Sequence, residues 1–328
     1  MNRRQFLRRG LALASLGLVS GCGQISLPFQ PPAKRVARVG YHSPAPIGTQ
    51  TTDVLLDALR GYGYVTGENL VFEPRFGPDE AAMAQELVAL QMDVVVAQGL
   101  SALQAVHDRA PTMPLVTLAG SDPVQAGLAE SMARPGGSLT GLTAISHQLS
   151  GKRLALLKES VPGIQRVAVL WNPETPSKIF EFRETEQAAQ SLGLKIAALE
   201  IRQPDAVERA FAEAKAAGCD ALVGFQDQLL IRIRGEISQL ALRHGYPTMF
   251  EFEAWTRAGV LMSYGPNQAA MTKRAAFFVD RIIKGQKPGD IPIEGPTVFD
   301  FVINLKSANA LGITIPQSVL AQATEVIQ

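Results

Sequence analysis

Cysteine is scarce: the 328 residues hold two, Cys22 and Cys219. A disulfide framework needs paired cysteines in the mature chain. With Cys22 closing a leader-like segment, Cys219 has no partner. Cys219 stands in Ala217-Gly218-Cys219-Asp220 before an apolar run and reads as a small apolar residue at a helix-to-strand junction. Aromatic residues make up only 6 %. Excess charge of one sign is also missing, with 31 basic against 30 acidic residues and a net charge of +1, which argues against a nucleic-acid-binding surface. No apolar run reaches the roughly 20 residues of a spanning helix, so the body is expected to be soluble. The four histidines (His42, His107, His147 and His244) show no metal-ligand spacing. There is no Gly-x-Ser-x-Gly nucleophile elbow. The glycine-rich stretch from Gly61 to Gly67 follows a helical pattern and precedes a strand, the reverse of a dinucleotide fingerprint. Gly151-Lys152 lacks the upstream glycine of a phosphate loop. No cofactor, metal or catalytic constellation is implied.

What is present begins with a leader. Residues 2–8 (Asn2-Arg3-Arg4-Gln5-Phe6-Leu7-Arg8) are basic, Leu11 to Val19 is a short apolar run, and Val19-Ser20-Gly21-Cys22 closes it. A basic start, a short apolar core and small residues before a cleavage point make a signal peptide. The closing residues resemble a bacterial lipobox, whose cysteine becomes the acylated N-terminus, and this assigns lipidation to Cys22. Arg3-Arg4 before Phe6-Leu7 resembles a twin-arginine export signal, with Asn2 in the place of the usual Ser or Thr. Residues 23–35, with Pro28, Pro31 and Pro32, read as a tether.

From Val36 onward short apolar runs alternate with helical stretches. Val36–Tyr41, Asn69–Phe76, Asp93–Ala97 and Pro114–Leu118 read as strands with helices between them, and the run Val94-Val95-Val96 suits a parallel strand covered on both faces. The alternation restarts after Gly136–Ile145, read as a first crossing between lobes. Arg166–Trp171, Leu194–Ile201, Ala221–Phe225, Pro247–Phe250 and Val260–Tyr264 are the second set of strands, with a helix over Ile231–His244 among those between them. Gln268–Lys284 is a long helix, followed by strands over Ile291–Glu294 and Val298–Asn304. The expected fold class is α/β: two Rossmann-like, doubly wound parallel-sheet lobes joined by a multi-crossing hinge. The expected division is 1–22 leader with lipobox, 23–35 tether, 36–143 plus 266–295 as lobe 1, and 144–265 plus 296–328 as lobe 2.

Ligands of open α/β sheets bind at the carboxyl ends of the strands. In lobe 1 those ends carry His42-Ser43, Gln98-Gly99-Leu100-Ser101 and Gly120-Ser121-Asp122. Ser101 stands at a helix start, where free amides and a hydroxyl suit a carboxylate, or where it serves only as a cap. In lobe 2 they carry Trp171-Asn172, Phe225-Gln226-Asp227, Phe250-Glu251 and Tyr264. Asp122, Asp227 and Glu251 are each able to receive an ammonium. Phe225, Phe250 and Tyr264 are each able to wall an apolar side chain, and Phe225 and Phe250 are equally readable as core.

The segments Gly61-Tyr62-Gly63-Tyr64-Val65-Thr66-Gly67-Glu68-Asn69, Ser121-Asp122-Pro123-Val124, Arg134-Pro135-Gly136-Gly137-Ser138-Leu139-Thr140-Gly141, Met262-Ser263-Tyr264-Gly265-Pro266 and Ile303-Asn304-Leu305-Lys306-Ser307-Ala308-Asn309-Ala310-Leu311-Gly312 carry a resemblance. The chain resembles the substrate-binding proteins of ABC transporters, of the tryptophan- and tyrosine-binding type, from Val36 to Ile327. The resemblance implies a type I periplasmic-binding-protein fold with three crossings, no catalysis, and a permease and an ATPase as partners. A monomer is expected, held on the outer side of a membrane by the lipid anchor that the lipobox assigns to Cys22, where many relatives have a plain soluble signal instead. It carries Ser43, Gly99, Ser101, Asp122, Asn172, Asp227 and Glu251 over as ligand-contact positions; Ser121, Gln226, Phe250 and Tyr264 join them from the strand-end reading. The loop at Gln98 departs from the family pattern, with Leu100 where relatives often have glycine. The expected function is binding of a small amino-acid-like solute. The alternatives are a ligand-sensing module for a membrane receptor and an extracytoplasmic enzyme on the same scaffold.

Overall fold

The computed structural model describes residues 36–44, 49–119, 122–144 and 146–328. Cys22, with the whole leader and tether, and Ser121 lie outside the described residues. Two sheets organise the rest. The first runs β2-β1-β3-β4-β5, all parallel, from β1 (Ala37–Ser43), β2 (Leu70–Phe76), β3 (Val94–Gln98), β4 (Leu115–Ala119) and β5 (Leu139–Thr143). In the second sheet β7-β6-β8-β9-β10 repeats that order, from β6 (Arg166–Trp171), β7 (Lys195–Glu200), β8 (Ala221–Gly224), β9 (Thr248–Phe250) and β10 (Met262–Pro266). It is extended by β11 (Phe299–Asn304), antiparallel to β10, and by β12 (Glu325–Ile327), parallel to β11.

Both faces of each sheet are covered, which explains the apolar runs. Val94 and Val96 face one core of the first sheet, packed under α1 (Thr49–Gly61), while Val95 and Ala97 face another, under α2 (Glu80–Ala89) and α3 (Leu100–Arg109). Val167, Val169 and Trp171 likewise point to the opposite side of the second sheet from Ala168 and Leu170.

The chain passes to the second sheet between β5 and α4 (Ser150–Ser160) and returns between β10 and α10 (Gln268–Ile283). Met271, Ala275, Phe278, Val279 and Ile282 of α10 complete the core over Val39 and Val116 of the first sheet. The chain then leaves again for β11.

Three expectations change. Leu139–Thr143, read as a crossing, is β5; its Gly141 lies at φ +125°, and a Cβ there would stand 2.5 Å from the Thr117 backbone, so only glycine lets β5 approach β4 this closely. The Ile291–Glu294 strand reduces to one bridge, Leu142 to Glu294, because Pro292 has no N–H to extend a ladder. The helix over Ile231–His244 is two helices, α7 (Gln228–Arg232) and α8 (Arg234–Arg243), with Ile233 at the joint.

Candidate functional site

A sheet ordered 2-1-3-4-5 has its switch point between the first and third strands, where connections leave to opposite faces and open a crevice at the carboxyl ends. In the first sheet that point lies between β1 and β3, at Ser43 and Gly99. In the second it lies between β6 and β8, at Asn172 and Asp227.

In the first lobe Ser43 is buried, and its carbonyl accepts from Gly77 N at 3.2 Å. Gly99 precedes α3 at φ +94°, and no side chain caps that helix. Ser101, in its first turn, is exposed and hydrogen-bonds the Glu80 carboxylate, whose pKa burial raises. Asp122 is spent locally, its Oδ1 accepting from Val124 N at 2.8 Å and Gln125 N at 3.3 Å. His42 is fully buried; burial lowers its pKa, and its ring faces the Arg75 and Glu80 backbone without completing a well-aligned hydrogen bond.

The second lobe is more tightly built. Asn172 Oδ1 accepts from Glu174 N at 3.0 Å, folding the turn after β6. Asp227 is 8 % exposed and begins α7: Oδ1 accepts from Leu230 N at 2.8 Å, and Thr175 Oγ1 donates to Oδ2 at 3.2 Å. Among the described residues no ion pair joins Asp227 to a cation.

Glu251, after β9, is 2 % exposed and already holds an ammonium of its own chain: Lys178 Nζ lies 3.0 Å from Oε1. The same Nζ is 2.7 Å from Glu181, and Arg153 Nη1 is 3.0 Å from the other Glu181 oxygen. Burial, with Glu251 beside it, raises the Glu181 carboxyl above the usual carboxylate range. Burial would also raise Glu251, but the Lys178 and Arg153 charges outweigh it and hold Glu251 well below the usual range.

Gln226 bridges this cluster and the aromatic residues. Its N–H donates to Glu251 Oε1 at 3.1 Å, and its side-chain oxygen accepts from Trp255 Nε1 at 3.0 Å. Phe250 is fully buried and stacks on Trp255 at 4.1 Å, so it packs as core. Phe225 is buried in the other core of this sheet. Tyr264 stays partly exposed and stacks on Phe299 at 6.0 Å.

The structure thus gathers Asn172, Gln226, Asp227 and Glu251 at the strand ends of one sheet, with Tyr264 inside β10, which runs on to Pro266, level with the end of β9, and Ser43, Gly99, Ser101 and Asp122 at the strand ends of the other. The sequence reading missed Thr175, Lys178, Glu181 and Arg153. One signal was available: Lys178, Glu181, Phe182, Thr185 and Ala189 share a face of α5 (Pro176–Ser191), which puts two charges on its inward stripe.

The family model for "ABC transporter substrate binding protein" matches residues 46–327. The chain belongs to that family. It is therefore a solute-binding protein of ABC transporters rather than an enzyme, and such proteins work outside the cytoplasm. No helix among the described residues is long and apolar enough to cross a membrane. A curated relative, the tyrosine-binding protein of Clostridioides difficile, is 23 % identical over 261 residues, 78 % of this chain and 74 % of the relative. The crystal structure of a conserved domain protein from Vibrio cholerae matches this binding protein with a TM-score of 0.83 at 26 % identity, covering 89 % of this chain and 100 % of that one. A Streptococcus pneumoniae domain in complex with L-Trp matches at 0.81 and 23 % identity, covering 89 % and 99 %. The fold is the two-lobed α/β architecture of type I periplasmic binding proteins.

Proposed function

We propose that this substrate-binding protein is the lipid-anchored receptor of an ABC importer and takes an amino-acid-like solute, aromatic in class, between the strand ends of its two lobes. One observation carries the reading: of the two buried carboxylates at the second sheet's strand ends, Glu251 is neutralised by Lys178, while Asp227 is oriented by Leu230 and Thr175 and has no described counter-ion. A buried carboxylate fixed this way favours a cation supplied from outside. Asp227 therefore receives the ligand's ammonium. The ligand's carboxylate meets the uncapped first turn of α3 at Gly99–Ser101, and Tyr264 flanks its side chain. The curated relative's name supports the aromatic class; the pneumococcal likeness carries the fold. Lobe 1 comprises 36–143 plus 266–295 and lobe 2 comprises 144–265 plus 296–328. Cys22 holds the monomer at the membrane, where a permease and its ATPase unload it.

Calorimetric titration with tyrosine, tryptophan and phenylalanine tests the ligand class. Asp227→Ala is expected to weaken the best ligand by about 1–3 kcal/mol, roughly 5- to 150-fold, with the fold intact; unchanged affinity removes Asp227 from the site. Cys22→Ser is expected to move the protein from the membrane fraction to the soluble extracytoplasmic fraction; retention at the membrane defeats the anchor.

A further inference from the structure

The ammonium-binding carboxylate is gripped from two sides, and both grips run back to Lys178. On one side, Thr175 Oγ1 holds Asp227 Oδ2, and the Thr175 carbonyl accepts from the backbone N–H of Lys178 at 2.9 Å. On the other, Lys178 Nζ holds Glu251 Oε1, which receives the N–H of Gln226, the residue before Asp227. Lys178 also holds Glu181, Glu181 holds Arg153, and Arg153 Nε donates to the Tyr264 carbonyl at 2.8 Å. Tyr264 lies two residues before the end of β10, where the chain leaves for lobe 1. Arg153, on α4, is on the first helix after the chain enters lobe 2.

We propose that Arg153, Lys178 and Glu181 are positioning residues: a buried charge cluster that locks the ammonium-binding loop to the strand leaving the lobe, so that Asp227 and the crossing at Tyr264–Asn267 behave as one rigid piece. The proposal rests on the reading of Asp227 as the ammonium site. Two cations and two carboxylates make the cluster neutral. Its members come from α4, from α5 and from the end of β9, so no element fixes the loop alone. The charged groups facing Glu181 are Lys178 on its own helix, Arg153 on α4 and Glu251 after β9. Because burial and the neighbouring Glu251 raise Glu181 above the usual carboxylate range, acidification neutralises it ahead of ordinary carboxylates and leaves the cluster one positive charge in excess beside Asp227. That charge opposes a ligand ammonium.

The test has two arms on the full-length protein. In the first, hydrogen exchange is followed without ligand at Gln226–Leu230 and Tyr264–Asn267. Lys178→Met is expected to speed exchange in both segments more than about tenfold while Val94–Gln98 of lobe 1 stays protected, and Lys178→Arg is expected to restore protection. In the second, tyrosine is titrated from pH 8 to pH 5. Wild-type affinity is expected to fall on acidification by roughly the several-fold that one added charge near a ligand ammonium costs, and Glu181→Gln is expected to bind weakly with no slope. Wild-type exchange in Lys178→Met, or a wild-type pH slope in Glu181→Gln, overturns the proposal. If Lys178→Met does not fold, the Glu181→Gln profile decides. If the wild type binds no aromatic amino acid at any pH, the ligand reading fails, and the exchange of Glu181→Gln, with Lys178→Met where it folds, decides the cluster.

Discussion

A methyl group added at Gly265 would measure how closely the ligand end of the second sheet is packed. Its Cβ would stand 2.0 Å from the backbone carbonyl oxygen of Glu251, a group that cannot swing aside as a side chain can. Gly265→Ala is expected to cost about 1–3 kcal/mol of stability, read as a lower urea midpoint at unchanged slope. Gly224 tells the same story, since the Phe250 ring fills the space a Cβ there would need. The strand-end placement of Asn172, Gln226, Asp227 and Glu251 was legible in the sequence, because strand ends and their polar residues follow from the alternation of runs. The partners of those residues were not. Glu251 reads from sequence as a carboxylate free to take a ligand's ammonium, but it takes that of Lys178, 73 positions away, and no local pattern reports so distant a partner. Phe250 reads equally as wall or core until Trp255 is seen stacked on it.

At the scale of elements, Asn267 couples two crossings. Its Oδ1 caps α10 by accepting from Ala270 N at 2.7 Å, its Nδ2 donates to Asp300 at 2.9 Å, and its backbone N–H reaches the Val298 carbonyl at 2.9 Å. The cap belongs to the helix that enters lobe 1, and Asp300 to the strand that returns to lobe 2. Asn267→Ala is expected to cost about 1–2 kcal/mol, the usual value of a lost N-cap, seen as a lower melting temperature; Asn267→Asp, which keeps the cap but sets a second carboxylate against Asp300, is expected to recover only part of it. Most elements were legible because β-branched runs and helical stripes differ in period. The exceptions have physical reasons. β5 carries two glycines' worth of turn signal just upstream, at Gly136-Gly137, and a third glycine inside it at Gly141, so its apolar content is diluted. The joint at Ile233 lies inside a continuous apolar-polar pattern that a periodicity reading joins across.

For the whole molecule, the two lobes are built from discontinuous pieces of chain, and the first lobe's core depends on the latest of them. Val39, Val94, Val96 and Val116 are fully buried beneath a face that includes Met271, Ala275, Phe278 and Val279 of α10. A chain ending at Pro266 keeps every strand of the first sheet yet lacks that cover. It is expected to bind a hydrophobic dye strongly and to lose cooperative thermal unfolding; a cooperative transition like that of the full chain would show that α10 is dispensable. The second sheet has the same dependence, since β10 borders solvent until β11 arrives. The three crossings therefore set a timetable as well as a hinge. In synthesis α10 emerges after every strand of the first sheet, so the core over Val39 and Val116 cannot close until residues beyond Pro266 have been made, and the β10 edge stays unpaired until β11 follows.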